Sequence, residues 1–353
     1  MSSLPLDPDP SLPEGWSARL PRAEDVPRLV ELSNAHLAAT RGRGGVDAEA
    51  VLGAAAGPGS WTRRQLLVED TAGVVRAWAS VHDRAAGRAD LRLVIDPARP
   101  DAGLAAALLA WQQEVVAAMT AARDVPQTRI DAVVEEADAP LQAWLAAAGF
   151  RRVRRWLNMT RRVHRPEDLP PPRDGVTIRR VGIQELGDGT TMPVAEDLQA
   201  VHRMLEESFE DHFNSYRESF AEFAQRLRED PGHRWDHWWL AVLEQDGAAV
   251  PGGALVSSVL PAAGSGVPGT YIDYIGVHRR ARGRGVAKAL LSTVVADAAR
   301  RGRDRISLEV DADSPTGAAD LYRSLGWETS YVTESWHKDV PAELSPGTTA
   351  ARP

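Results

Sequence analysis

The sequence predicts an α+β fold with αβα layering, present twice in one chain, each copy a mixed central sheet flanked by helices. Three observations carry this prediction. The 353 residues exceed one ordinary domain. A proline-rich break, Arg165-Pro166-Glu167-Asp168-Leu169-Pro170-Pro171-Pro172-Arg173-Asp174-Gly175, favours an extended connection and divides the chain into two domain-sized parts. The two parts then repeat one order of apolar run, short loop and amphipathic helix.

The break sets the expected domains: 16–163 and 176–340, joined by a linker over 164–175. The ends, 1–15 and 341–353, read as disordered tails because they are polar and proline-spaced. The repeat is explicit in the residues. Ile95-Asp96-Pro97 through Leu108-Leu109 falls on Val277-His278-Arg279 through Leu290-Leu291 without a gap. Further on, Trp144-Leu145-Ala146-Ala147-Ala148-Gly149-Phe150 falls on Leu321-Tyr322-Arg323-Ser324-Leu325-Gly326-Trp327 at a similar spacing.

In the second half, helical spacing over 196–210 and 215–228 puts Leu198, Val201, Leu205 and Phe209 on one stripe. Strand-like runs follow at Trp238–Leu243 and Gly253–Leu260, joined by a turn containing Gly247. A third strand, Tyr271–Val277, leads into a glycine loop and a helix over 285–300. Arg305–Val310 is a strand, Pro315–Leu325 a helix that Gly326 ends, and Thr329–His337 a last strand. The first half follows the same plan: helix 24–39, strands 65–70, 74–81 and 90–95, helix 103–118, strand 128–134, helix 138–148 and strand 152–161.

Composition narrows the function classes. A net charge of −8 argues against a general nucleic-acid binder. With no cysteine, disulfides, thiolate metal sites and thiol nucleophiles are excluded. The Ala-rich helices are interrupted by charges, so no membrane span is expected, and no apolar leader opens the chain. A cytoplasmic protein acting on a small molecule, monomeric or homodimeric, is the expectation. His212, His233 and His237 lack ligand spacing, so no metal site is expected.

The segment Arg282-Gly283-Arg284-Gly285-Val286-Ala287 has a physical purpose. Glycines accept positive φ and let a ligand approach the backbone, and the first amides of the following helix attract negative charge. Arg279, Arg280, Arg282 and Arg284 add cationic density suited to a pyrophosphate. The Gly-Lys-Ser/Thr of a nucleoside-triphosphate loop is missing, and so is a Gly-x-Gly-x-x-Gly dinucleotide fingerprint.

Ile275-Gly276-Val277-His278-Arg279-Arg280-Ala281-Arg282-Gly283-Arg284-Gly285-Val286-Ala287 resembles motif A of the GNAT superfamily. Asp313-Ser314-Pro315-Thr316-Gly317-Ala318-Ala319-Asp320-Leu321-Tyr322-Arg323-Ser324-Leu325-Gly326-Trp327 resembles motif B, with Ser314 where Asn is usual. The resemblance implies acetyl-CoA (coenzyme A) as acyl donor and a small-molecule primary amine as acceptor. It implies that amides from Gly283 to Ala287 hold the pyrophosphate and that Ile275, Gly276 and Val277 line the pantetheine arm. Strands 271–277 and 305–310 are then expected to splay around that arm. Tyr322 stands where many members place the general acid for the departing thiolate. Tyr271 stands where several members carry a glutamate, which leaves Asp273, two residues on, and Glu309 as candidate bases. Glu207 and Asp211, in the acidic run 206–214, fall where this fold forms its acceptor wall. The architecture resembles the mycothiol synthases, so acetylation of a cysteinyl amino-sugar conjugate is one alternative. A non-catalytic acyl-CoA-binding regulator is the other. In the first half Pro100, Asp101 and Leu145 replace Arg282, Gly283 and Tyr322. That copy is expected to keep the framework and to have lost cofactor binding.

Overall fold

Near-continuous apolar runs build the central strands of this chain, because each sheet is covered on both faces by amphipathic helices. The structure is a computed structural model that describes residues 10–84, 87–164, 166–187, 189–209, 219–229, 232–245, 247–262, 265–314 and 317–342. In chain order the first half forms β1 (Ser17–Arg19), α1 (Val26–Arg41), α2 (Ala48–Ala55), β2 (Arg63–Glu69), β3 (Val75–Asp83) and β4 (Arg88–Ile95). Then come α3 (Ala102–Ala122), β5 (Gln127–Glu135), α4 (Ala139–Ala147) and β6 (Arg151–Arg162). The second half forms β7 (Val176–Arg180), a small hairpin of β8 (Ile183–Glu185) and β9 (Thr191–Pro193), α5 (Ala195–Phe209), α6 (Phe220–Glu229) and β10 (His233–Gln245). β11 (Ala248–Leu260), β12 (Gly269–Val277), α7 (Val286–Arg300), β13 (Arg305–Asp311), α8 (Ala318–Ser324) and β14 (Glu328–Pro341) complete it.

The chain divides into two units, and the division falls inside strands rather than in the proline-rich segment. One unit takes the residues up to Trp156 and those from Tyr331 onward; the other takes Leu157–Ser330. Each unit thus ends its sheet with a strand from the other half of the sequence. The first has the order β1-β2-β3-β4-β5-β14, and the second β6-β13-β12-β11-β10-β7. Within both, neighbours are antiparallel at one side and one pair is parallel at the centre, β4 with β5 and β12 with β13. β14 pairs antiparallel with β5 through Pro341, where the sequence suggested a tail. The remaining tail positions, 1–9 and 343–353, lie outside the described residues.

In the first unit Leu104, Leu108, Trp111 and Val115 of α3 pack with Ala79, Leu93 and Ile130 on one face of the sheet. Leu29, Leu32 and Val51 of α1 and α2 pack with Leu67, Trp78 and Val94 on the other. Each such side chain contributes about 1.5–3 kcal/mol on burial. α3 corrects one expectation: its 21 residues are long and apolar enough to cross a membrane. Buried Gln112 on the same helix instead donates to the carbonyls of Ser80 and Arg92, both at 2.9 Å, and ties α3 to the sheet as a core helix.

The second unit is layered the same way. Leu290, Leu291 and Val294 of α7 pack with Leu255, Ile272, Ile306 and Leu308. Val201 and Leu205 of α5 and Phe223 and Leu227 of α6 pack with Trp238, Leu240, Ala254 and Val256 on the opposite face.

Candidate active site

The site begins where β12 and β13 part. Their parallel register runs Thr270↔Ile306, Tyr271↔Ser307 and Ile272↔Leu308 and stops there, although β12 continues to Val277 and β13 to Asp311. Among the described residues, the β13-facing edge of β12 beyond Ile272, with Ile275 and Val277, has no strand paired to it. An extended chain can add along such an edge by backbone hydrogen bonds.

A bulge re-aims the side chains at this point. β11 pairs Val256 with Tyr274 and then Ser257 with Ile272, so Asp273 is the extra residue. Asp273 lies on the same face as Tyr271, as alternation predicted, and accepts from Ser258 Oγ at 3.2 Å. The alternation fails one residue later. Tyr274 stays on that α5 face, while Ile275 and Val277 turn to the α7 face. Glu309 is on the α5 face too, exposed, and accepts from Asn158 Nδ2 at 3.3 Å. The candidate bases therefore share one side of the parted sheet. Tyr322 packs on the other side with Leu308, Val310 and Leu290, its ring 6.1 Å from that of Trp327. Burial pushes its phenol up to about 12.

The α5 face closes tightly over the gap. A Cβ on Gly276 would lie 2.9 Å from Ser208 Cβ and 3.2 Å from Leu205 Cδ2, so only glycine lets α5 approach this closely. On the preceding residue of α5, Glu207 Oε2 lies 3.2 Å from His278 Nε2. His278 Nδ1 accepts from the Arg280 amide at 3.2 Å, which leaves the ring proton on Nε2. Burial, followed by the Arg280 charge, holds His278 below the usual histidine range despite Glu207. Glu207 is exposed and stands beside His278. Asp211 lies outside the described residues.

The glycine loop follows directly. Gly283 and Gly285 adopt φ of 76° and 80°, the left-handed region that favours glycine. Gly285 is the N-cap of α7 and supplies no side chain to its first turn. Among the described residues, the amides of Gly283, Gly285, Val286 and Ala287 donate to no protein acceptor. Among the described residues, none of Arg279, Arg280, Arg282 and Arg284 pairs with a carboxylate, and Arg280 and Arg284 reach the carbonyls of Pro251 and Gly175. Open amides, a helix N-terminus and four uncommitted cations form a cradle for a polyanion. Ser314 sits in the turn after β13, its amide 3.3 Å from Asp311 O. Pro315 and Thr316 of the second motif lie outside the described residues.

One component escaped the sequence reading. Arg173, from the proline-rich segment, donates to Gly283 O at 3.1 Å, and its Nε lies 3.2 Å from the Cβ position of Gly285. Nothing in the local sequence marks this contact, because it depends on where three prolines deliver the chain.

Comparison with known proteins accords with this geometry. Residues 198–327 match the acetyltransferase (GNAT) family. A GCN5-related N-acetyltransferase from Sphaerobacter thermophilus superposes with a TM-score of 0.73 at 25% identity, over 94% of this chain and 98% of its own. A tandem GNAT protein from the clavulanic acid biosynthesis pathway shares the fold with a TM-score of 0.67 at 16% identity, over 94% and 100%. No curated protein matches the chain in sequence. Residues 198–327 thus match the GNAT acetyltransferase family, and the chain as a whole shares the fold of tandem GNAT proteins.

Proposed function

We propose that the second unit transfers an acetyl group from acetyl-CoA to the primary amine of a small molecule by direct attack. The observation that carries this reading is the unsatisfied amide cradle at Gly283–Ala287 beside the parted strands β12 and β13. The cradle suits a pyrophosphate and the open edge of β12 suits a pantetheine arm, which directs the thioester into the gap. Asp273 and Glu309, on the α5 face, are placed to take the proton of an incoming ammonium, directly or through water. Once the amine has attacked the carbonyl carbon, the carbon–sulfur bond breaks as the carbon–nitrogen bond persists. Tyr322, on the opposite face, supplies its phenolic proton to the departing sulfur, and the second proton of the acylated nitrogen is released and restores the phenol. A phenol held near 12 is protonated at neutral pH, as that role requires.

The test is thiol release from acetyl-CoA by the intact chain over a panel of primary amines, beside calorimetric binding of acetyl-CoA. Binding at one site with turnover on at least one amine is expected. Binding without turnover on any amine favours a non-catalytic acyl-CoA sensor. Absence of binding removes the cradle from the account.

A further inference from the structure

The first unit parts its central strands as well. β4 and β5 pair from Arg88↔Arg129 to Leu91↔Ala132 and then separate, although they run on to Ile95 and Glu135. What lines this second gap differs from a decayed cofactor site.

Arg92 is the first residue of β4 past the pairing. Its guanidinium lies 4.6 Å from the centre of the buried Trp78 ring and donates to Ser33 Oγ at 3.2 Å. Arg76, Arg88 and Arg129 on the central strands of this sheet each reach a carboxylate, on Asp96, Asp131 and Asp339. Arg92 reaches none among the described residues, and it is exposed. An oriented guanidinium left without an anion has the geometry of a carboxylate receptor.

The other lining groups have the opposite need. Glu135, 8% exposed, keeps one buried oxygen, Oε2, with no hydrogen-bond donor, and Asp138, 5% exposed, has only the His36 ring beside its Oδ2. Arg41 engages the second oxygen of Glu135, and the second oxygen of Asp138 caps α4 at the Leu141 amide. His36 ties the groups together. It sits three residues from Ser33 on α1, its Nε2 3.2 Å from Asp138 Oδ2, and it feels the charges of Asp138, Glu135, Arg92 and Arg41. Burial comes first among those influences and keeps His36 below its usual range, so at neutral pH it does not discharge the two acids. Val133, the first residue of β5 past its pairing with β4, is 65% exposed and gives the gap an apolar element.

We propose that the first unit binds a small zwitterion of the α-amino-acid class in the gap between β4 and β5, its carboxylate on Arg92 and its ammonium on Glu135 and Asp138. A dianion such as phosphate fits poorly, because Arg41 is already engaged by Glu135 and two carboxylates stand beside Arg92. The site is separate from the glycine loop and independent of acetyl transfer.

The test uses the intact chain. Thermal shift over the twenty free amino acids, followed by calorimetry of the strongest binder, is expected to find saturable binding at one site. The amide of that amino acid, which lacks the carboxylate, and its N-acetyl derivative, which lacks the charged amine, should each bind at least tenfold more weakly. Arg92→Gln should weaken the amino acid at least tenfold while acetyl-CoA affinity stays unchanged, which also reports that the variant is folded. The proposal falls if no amino acid binds, or if both derivatives bind as well as the parent. It falls equally if a folded Arg92→Gln chain binds the amino acid like the unaltered one, or if inorganic phosphate binds as tightly and competes.

Discussion

The two strand-to-helix loops of this chain come from matching positions in the repeat and end in opposite states. In the second unit, α7 begins at a left-handed glycine, and its first amides are left open. In the first unit, α3 begins two positions earlier in the repeat, and Asp101 is its N-cap. The Asp101 carboxylate accepts from the Leu104 amide at 2.9 Å, and Leu104 is the residue that matches Val286. The sequence suggested that Asp101 would repel a pyrophosphate. The structure adds a stronger reason: the anion position is already filled by the protein's own carboxylate. One helix N-terminus is capped by a side chain and the other is left open, with glycine in the cap position at a cost of roughly a few tenths of a kcal/mol.

That contrast can be broken by exchange. Gly285→Asp installs a capping carboxylate on α7, and acetyl-CoA affinity should fall at least a hundredfold by calorimetry, with circular dichroism showing an intact fold. Normal affinity in that variant means that the amides of α7 are not the phosphate site. Tyr322→Phe should lower turnover at least tenfold with little change in acetyl-CoA affinity. Because the phenol is raised from 10 to about 12, it stays protonated through the neutral range, and turnover should show no loss from Tyr322 below pH 10. A folded-state value above the unfolded one also means that stability from this group is full below pH 10 and is lost as pH rises toward 12. A turnover limb with a midpoint well below 10 that vanishes in Tyr322→Phe contradicts the assignment. Arg173→Ala should weaken acetyl-CoA by roughly three- to tenfold, the scale of one charge-assisted hydrogen bond, and leave the turnover number alone. An unchanged affinity makes Arg173 a tether of the proline-rich segment only. Asp101→Ala should cost about 1 kcal/mol of stability in chemical denaturation and leave acetyl-CoA stoichiometry at one. A second bound acetyl-CoA in that variant would show that capping alone silences the first loop.

Much of this was legible in the residues because it is local. The glycine loop, its altered copy and the strand-to-helix order follow from spacing, and the splay of β12 from β13 followed from the family resemblance. The bulge at Asp273 was not legible, since no glycine or proline marks it, and its visible effect is that Tyr274 stays on the face of Asp273 instead of alternating to the other. The capping role of Asp101 could have been found: an aspartate three residues before an apolar helix position is an N-cap signature. His278 with Glu207, and Arg173 on Gly283, join residues distant in sequence, and local pattern carries no record of such pairs. The same holds for β14. Its alternation shows which residues are buried but cannot say which strand it joins.

The destination of β14 has a consequence for how the chain is made. Residues up to Trp156 leave the ribosome without the strand that completes their sheet, because that strand begins near Tyr331. Throughout the synthesis of the second unit, β5 presents an unpaired edge, the kind of surface that invites wrong partners. The first unit is therefore finished last. A cut at the proline-rich segment, where the sequence most invites one, yields two fragments that each lack a strand of their own sheet and carry one that belongs to the other.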